Sequence, residues 1–439
     1  MKTIMAVTKK VKSKKFPPKA HQPRAGKVKT KAKKLPVKKK AGKVVKKVVR
    51  KTVRKIKTKK PVRKTKLAKR KKIFKAPLVK KFSGNPILSP EVNSSWESSA
   101  VFNPGVVLYG GRVHMFYRAL GADGMSRIGY ASSRDGIRFD ERLPFPVFTA
   151  ENINEARRHF LYTSPARSAF STADAGGPAR LVYDPVLYAS GGGWGGCEDA
   201  RAVEIDGRIY LTFNMFNGWH SMRVAFTSID GQDLLGKNWA WSPFAYLSRP
   251  GDRQKNWVLF PEKFNGKFAI LHNLDMGNES RVHIAFVDEL DMYKTPTQTE
   301  APDIHTLPDH LVAWHNRTRS ASAPPIKTKD GWLLFYHATD KDDPHHHYKV
   351  GALLLDLKDP TKVLYRSSRP ILSPDEWYEN DWKPGVVYAS GAIVKDGVLF
   401  LYYGGGDKRI AVAYAKLVDF LRQLKSGENI VLSKEKVEL

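Results

Sequence analysis

An all-β fold, a five-bladed β-propeller with a disordered basic N-terminal tail and a short C-terminal helix, is predicted by three observations. After Phe82 one phrase is written five times: an alternating apolar strand, a tight turn, a strand rich in aromatics, a gap, and a strand of small and apolar residues. The turns fall at Gly110-Gly111, Asp206-Gly207, Asn265-Gly266, Asp330-Gly331 and Asp396-Gly397, residue pairs that supply the positive φ of short hairpins. Their spacing is 96, 59, 65 and 66 residues (110 to 206, 206 to 265, 265 to 330, 330 to 396), a period suited to blades repeated around a ring. A sandwich of equal strand content would not explain the recurrence of a whole phrase.

The tail, residues 1–82, differs in kind. Residues 1–81 hold 36 Lys and Arg and no Asp or Glu, so the other 358 residues (439 − 81) keep 40 of the 76 bases (76 − 36) against 42 acids, a net of −2. Like-charge repulsion and few large apolar groups predict disorder there. Val45, Val49, Val53 and Ile56 recur at near-helical spacing, so a short helix would form once a polyanion neutralises the lysines. Phosphate contacts with counterion release make nucleic acid the expected partner of residues 1–81; an anionic membrane or envelope polymer, or a purely solubilising role, are the alternatives. A single Cys197 excludes an intramolecular disulfide framework. The start, MKTIMAVTKK, has too short an apolar run for a signal peptide, and no stretch approaches a membrane span. A cytoplasmic location is expected.

The propeller domain, residues 83–439, places polar residues at matching points of each copy. Copy one, "GVVLYGGRVHMFYRA…SRIGYASSRDG", offers Asn103, Arg118, Ser126 and Arg127. Copy two, "RAVEIDGRIYLTFNMF…MRVAFTSIDG", follows a long insertion (140–198) and a glycine-rich turn, "GGGWGG", and its first strand opens on Glu198, Asp199 and Arg201. Copy three, "EKFNGKFAILHNL…RVHIAFVDEL", offers Lys263 and His272. Copy four, "PIKTKDGWLLFYHAT…YKVGALLLDL", offers Lys327, His337, Asp340 and the run His345–His347. Copy five, "GAIVKDGVLFLYYGG…KRIAVAYAKL", offers Tyr388, Ser390 and Gly391. Leu417, Phe420, Leu421 and Leu424 then form one face of the closing helix.

Innermost strands of a propeller converge, so these side chains would meet at the axis. Carboxylates, arginines and ring faces suit a sugar, whose hydroxyls need charged partners. Trp96, Tyr117, Trp194, Trp257 and Tyr336 are candidate platforms, with a core role as the plainer reading of each. Three consecutive histidines cannot all face one ion from a strand, so His345–His347 reads as a polar loop and no metal is expected. "GGGWGG" lacks the Gly-Lys-Ser/Thr ending of a phosphate loop and reads as a flexible lip.

The sequence resembles glycoside hydrolase family 130, the β-mannoside phosphorylases and related β-mannosidases. The likeness covers residues 84–424 through "GNPILSP", "WESSAVFNPG", "SRIGYASSRDGIRF", "CEDAR", "VLFPEKFNGKF", "APPIKTKDGWLLFYH", "YKVGALLLDLKDP" and "RPILSPDEWYE". It implies a five-bladed propeller that cleaves a β-mannoside with inversion, using inorganic phosphate as co-substrate and no other cofactor, to give α-mannose 1-phosphate. Asp199 would be the general acid, with a raised pKa to which adjacent Glu198 contributes. Arg201 would hold the carboxylate or the sugar, and Asn103, Arg118, Ser126, Arg127, Glu198 and Asp340 would contact substrate. Phosphate would be met by Lys327 and one of His345–His347, taken as His346, with Arg319 (or Arg317) and Lys263 as further cations. An inverting β-mannosidase would instead need a carboxylate to activate water, Glu262 or Asp340. A non-catalytic glycan-binding propeller tethered through its tail is the remaining alternative. The chain departs from the family pattern at Ala200, where proline is usual, at Asn273, where many phosphorylases carry arginine, and in the insertion.

Overall fold

Alternating strands joined by hairpin turns satisfy their backbone groups most directly by pairing with the next strand, and the chain does so repeatedly, with a short parallel pairing of Met125 and Ser126 to Gly195 and Gly196 joining the first two sets into one sheet. The structure, a computed structural model, describes residues 78–149, 191–217, 222–251, 254–275, 280–294, 305–306, 312–426 and 430–431. The chain divides into two units, Met1–Arg70 and Lys71–Leu439, and all described residues belong to the second. The expected disordered tail therefore lies outside the described residues up to position 77, as does most of the insertion.

A two-residue strand, β1 (Lys80–Lys81), comes first. One antiparallel meander follows: β2 (Ala100–Tyr109), β3 (Arg112–Leu120), β4 (Met125–Ser133) and β5 (Glu141–Arg142). A second comprises β6 (Gly195–Ile205), β7 (Arg208–Asn217), β8 (Met222–Asp230) and β9 (Ala245–Tyr246), with helix α1 (Gly231–Gly236) before β9. The third holds β10 (Val258–Leu259), β11 (Phe268–Asp275), β12 (Ser280–Val287) and β13 (His305–Thr306). In the fourth, β14 (Arg317–Ala321) and β15 (Ile326–Thr328) both pair with β16 (Gly331–Thr339), which continues to β17 (Lys349–Leu355) and β18 (Val363–Arg366). The fifth is β19 (Val387–Lys395), β20 (Val398–Gly405) and β21 (Arg409–Lys416). Helix α2 (Leu417–Leu424) and β22 (Ile430–Val431), paired to β18, complete the described chain.

The middle strands are buried on both faces; every residue of β16, GWLLFYHAT, is buried. Such strands need apolar cover from two sides, and five of the six core clusters among the described residues supply it between neighbouring meanders. One joins the first and second meanders through Phe116, Ile128, Ile209 and Phe213. Another joins the second and third through Val203, Val224, Leu259 and Ile270. Leu271, Ile284, Trp332 and Leu334 join the third and fourth. Phe335, Leu354, Leu401 and Tyr403 join the fourth and fifth, with Phe420 and Leu424 of α2 packed in. Met115, Tyr117, Tyr402 and Val412 join the fifth to the first. Each large apolar side chain so buried contributes roughly 1.5–3 kcal/mol.

The ordered pairing begins inside the segment that sequence assigns to the tail. Strand β1 pairs with β21, Lys80 opposite Tyr414 and Lys81 opposite Ala413, and Leu78 and Val79 enter the core beside α2. Lys81 Nζ reaches Ser373 O (2.8 Å), Glu379 Oε2 (2.7 Å) and the Asp375 carboxylate. Glu379 is fully buried and also accepts from Tyr403 Oη at 2.8 Å. A carboxylate that deep needs its cation.

Candidate active site

Four of the five strands that open the meanders are interrupted near the end where they begin. Register shifts occur between Phe102 and Gly105 in β2, Glu198 and Arg201 in β6, Thr318 and Ser320 in β14, and Ala389 and Gly391 in β19. Just before β10, Asn256 takes a left-handed conformation (φ 64). A β-bulge leaves its extra residue out of the ladder and re-aims its side chain. The residues so placed are Asn103, Asp199, Arg319 and Ser390, with Asn256 in the corresponding place. The bulged strands pass very close: a Cβ on Gly105 would lie 2.6 Å from Ala200 O, so only glycine fits there.

Arg118 gathers the centre. Its Nη2 donates to Glu198 Oε1 at 2.8 Å, its Nη1 to Asp199 Oδ1 at 3.4 Å and its Nε to Ser126 Oγ at 3.0 Å. The guanidinium stacks on Phe102, 4.6 Å from the ring centroid. Asn103 Nδ2 donates to the same Asp199 Oδ1 at 2.8 Å. Arg201 donates from Nη1 to Asp199 O, from Nε to Ser322 O (2.8 Å) and from Nη2 to Tyr388 Oη (3.3 Å). Tyr388 in turn stacks on His337, centroids 4.0 Å apart at 15°, and His337 Nδ1 lies 2.9 Å from Ser320 Oγ. The glycine-rich turn covers this cluster: a Cβ on Gly193 would stand 2.7 Å from Arg118 Nη2.

The electrostatics reverse the expectation for the two acids. Burial raises Glu198, Arg118 opposes it and the Asp199 charge adds to it, leaving a pKa of about 7. Burial also presses on Asp199, yet the charges of Arg118 and Arg201, the Asn103 hydrogen bond and the charge of Lys255 outweigh it, and its pKa falls below the ordinary value. The raised acid is therefore Glu198, because the bulge turns Asp199 toward more donors than its neighbour meets. Burial, with Arg201 beside it, drives His337 down to about 3; burial, with His283 beside it, does the same to His272. Both histidines are neutral at pH 7.

Asn103, Arg118, Ser126, Glu198, Asp199 and Arg201 thus come together as sequence suggests. Arg319, on the β14 bulge, lies 5.6 Å over the Tyr348 ring and its charge acts on His337. Others go elsewhere. Lys263 pairs with Asp206 (3.3 Å) and Lys327 with Glu262. Asp206 lies five residues beyond Arg201 along β6, roughly 16 Å at strand rise, so these lysines occupy the hairpin-turn end, away from Asp199. His346 is exposed and shapes the β16–β17 loop through its backbone, donating to Asp343 O at 3.0 Å. Its neighbour His347 bonds Asp343 Oδ2 through Nδ1 at 2.8 Å. Asp340 opens that loop by accepting from Asp342 N at 3.1 Å. Arg127 pairs with Asp123 at 2.7 Å across the β3–β4 turn. Among the proposed platforms, Trp96, Tyr117, Trp257 and Tyr336 are core residues, and only Trp194 is half-buried.

Sequence reasoning missed Lys255, whose charge acts on both Glu198 and Asp199, and Asp407, which acts on Glu198 and pairs with Lys383 at 2.8 Å. It noted His272 without seeing that both ring nitrogens are buried and without a hydrogen-bond partner among the described residues. The signal for Lys255 was its place, immediately before the strand that opens copy three.

The profile of a glycoside hydrolase family described as β-1,4-mannooligosaccharide phosphorylase matches residues 188–425. The chain is 33% identical over 349 residues to a 1,2-β-oligomannan phosphorylase of Thermoanaerobacter sp. (strain X514), covering 78% of this chain and 98% of that protein. A β-1,2-mannobiose phosphorylase of the same organism is also 33% identical, over 76% of this chain and 95% of its own length. The solved β-1,2-mannobiose phosphorylase from Listeria innocua, in complex with β-1,2-mannobiose, superposes with a TM-score of 0.56 at 22% identity, covering 79% of this chain and 99% of that one. That likeness establishes a shared fold.

Proposed function

Since this chain belongs to glycoside hydrolase family 130 and is a β-mannoside phosphorylase, we propose that the Asp199 centre performs the transfer. Phosphate oxygen attacks the anomeric carbon of the terminal mannosyl unit from the face opposite the leaving oxygen. The glycosidic C–O bond breaks, and a proton originating on Asp199 reaches the departing oxygen through a sugar hydroxyl. The products are α-mannose 1-phosphate and a saccharide one unit shorter.

The observation that carries this reading is the Arg118–Glu198–Asp199 cluster on converging bulges, joined by Arg201 and Asn103. Asp199 is ionised in the free protein because cations surround it. A phosphate dianion bound beside Lys255, with Arg319 as a further cation, adds negative charge near Asp199 and raises its pKa, so Asp199 takes up from solvent the proton that it then delivers. A phosphorylase needs no water-activating base, and neither candidate for that role stands in the cluster: Glu262 is paired to Lys327 and Asp340 is used by its loop. The 33% identical relatives favour the β-1,2 linkage over β-1,4.

Three further readings attach to this one. The five core clusters, linking each meander to the next and the fifth to the first, support closure into a five-bladed β-propeller. The 36 basic residues of positions 1–81 support salt-dependent polyanion binding by the tail. A cytoplasmic location suits a chain whose one cysteine is buried and free; among the described residues no helix is long and apolar enough to cross a membrane.

The test is incubation of the full chain with β-1,2- and β-1,4-mannobiose, with and without phosphate, followed by phosphorus NMR. α-Mannose 1-phosphate formed only with phosphate, and faster from the β-1,2 substrate, is expected. Equal release of free mannose without phosphate defeats the phosphate chemistry.

A further inference from the structure

Among the described residues Trp377 is the most exposed tryptophan, 61% accessible, yet it is rigidly mounted. It begins a 3-10 turn, Trp377–Glu379, closed by a capping box in which the Glu376 and Glu379 side chains and backbone amides answer one another. Glu379 anchors that turn in the core through Lys81 and Tyr403. The Arg409 guanidinium lies 5.0 Å from the Trp377 ring centroid and is itself held by Asp381. Tyr378 meets the ring edge-on at 5.7 Å.

Chain neighbours on both sides tie this turn to the site already described. The turn precedes β19, which carries Tyr388 near its start. Arg409 is two residues from Asp407, roughly 7 Å along the chain, and the Asp407 charge reaches Glu198. On the other side Trp382 adjoins the glycine-rich turn: a Cβ on Gly192 would lie 3.3 Å from its ring. An exposed aromatic ring backed by the Arg409–Asp381 ion pair matches a pyranose, whose axial hydrogens pack on a ring face while its hydroxyls find charged partners.

We propose that Trp377 is a distal saccharide platform that binds mannosyl units of longer substrates beyond the bond being cleaved, and so sets the preference for chain length. The proposal rests on the phosphorylase reading for its substrate but adds a site and a specificity to it.

The experiment compares Trp377→Leu, which keeps apolar bulk without a ring face, and Trp377→Phe, which keeps the ring. Phosphorolysis of β-1,2-mannooligosaccharides of two to six units gives the ratio of kcat/KM for hexaose to that for biose. In the wild type this ratio exceeds one. Trp377→Leu lowers it about tenfold, the scale of one ring-face contact, and Trp377→Phe restores most of it. An unchanged ratio in Trp377→Leu, or a wild type indifferent to length, overturns the platform. A binding arm uses Asp199→Asn protein without phosphate, titrated calorimetrically with mannohexaose and mannobiose. A hexaose preference that Trp377→Leu removes supports the platform even where turnover is absent, and that outcome sinks the catalytic reading alone. Equal affinities for the two saccharides sink the platform.

Discussion

Asn103 and Asp199, ninety-six residues apart in sequence (199 − 103), face each other across 2.8 Å, each in the left-handed backbone region at φ 47 and φ 53. Neither residue type forbids that conformation, and Asn and Asp tolerate it better than other non-glycine residues. Two bulges therefore hold a donor against an acid with little room for either to turn. Asp199→Asn removes the proton source but keeps the shape. It should lower kcat by about 10²–10⁴-fold, the usual weight of a positioned acid, with a smaller fall in melting temperature than Arg118→Met gives, because the amide keeps the Asn103 hydrogen bond and Arg118 keeps Glu198. A large fall in melting temperature with proportionate loss of activity would show a structural role instead.

Arg118 bridges two buried carboxylates, so Arg118→Met strands Glu198 and leaves Asp199 to Arg201, Asn103 and Lys255. Removing one partner of a buried ion pair costs on the order of 3–5 kcal/mol. Urea unfolding should show a loss of that size at pH 7.5. The loss should shrink at pH 5.5, where Glu198 is protonated and fewer charges are left unpaired.

The Glu198 pKa of about 7 predicts a pH dependence of stability with a definite sign. The folded state holds the Glu198 proton above the pH at which the unfolded chain releases it. Its contribution is thus complete below the ordinary glutamate value of 4.5 and disappears as pH rises through 7. The amount is on the order of 3 kcal/mol for such a shift. Buried His337 and His272 act the other way, losing stability as pH falls below 6.5, so the quantity to measure is the difference between wild type and Glu198→Gln. That difference should vary between pH 5 and pH 8; a constant difference would show that Glu198 does not titrate there.

Phosphate affinity separates the cations at the two ends of the strands. Lys255→Met should raise the KM for phosphate at least about tenfold, as expected for losing one charge-assisted contact, while the KM for mannoside moves little. Lys327→Met should leave both constants where they are, since Lys327 is engaged with Glu262 at the hairpin-turn end. The opposite pattern would restore the sequence-based assignment.

Five repeated phrases mapped onto five meanders because alternation and turn chemistry are local, and local rules survive in one dimension. Asn103, Arg118, Glu198, Asp199 and Arg201 were legible for a related reason: each breaks an apolar strand where burial would otherwise exclude it. Lys263 and Lys327 misled because a motif gives a residue's place in the phrase but not which end of the strand faces the site. Lys255 escaped because it stands outside any strand, and only the approach of separate meanders brings it to the acids. Which of Glu198 and Asp199 carries the raised pKa could not be read at all. Adjacent carboxylates look alike until a bulge decides which one meets the arginines.

The short strand β1 carries a consequence for biosynthesis. Its partners Tyr414 and Ala413 lie 334 and 332 residues later (414 − 80, 413 − 81), so β1 has nothing to pair with until Arg409–Lys416 has been made. Contacts this distant are slow to form. Once that strand is in place, the segment 78–81 clasps the outer edge of the fifth meander and fastens it late.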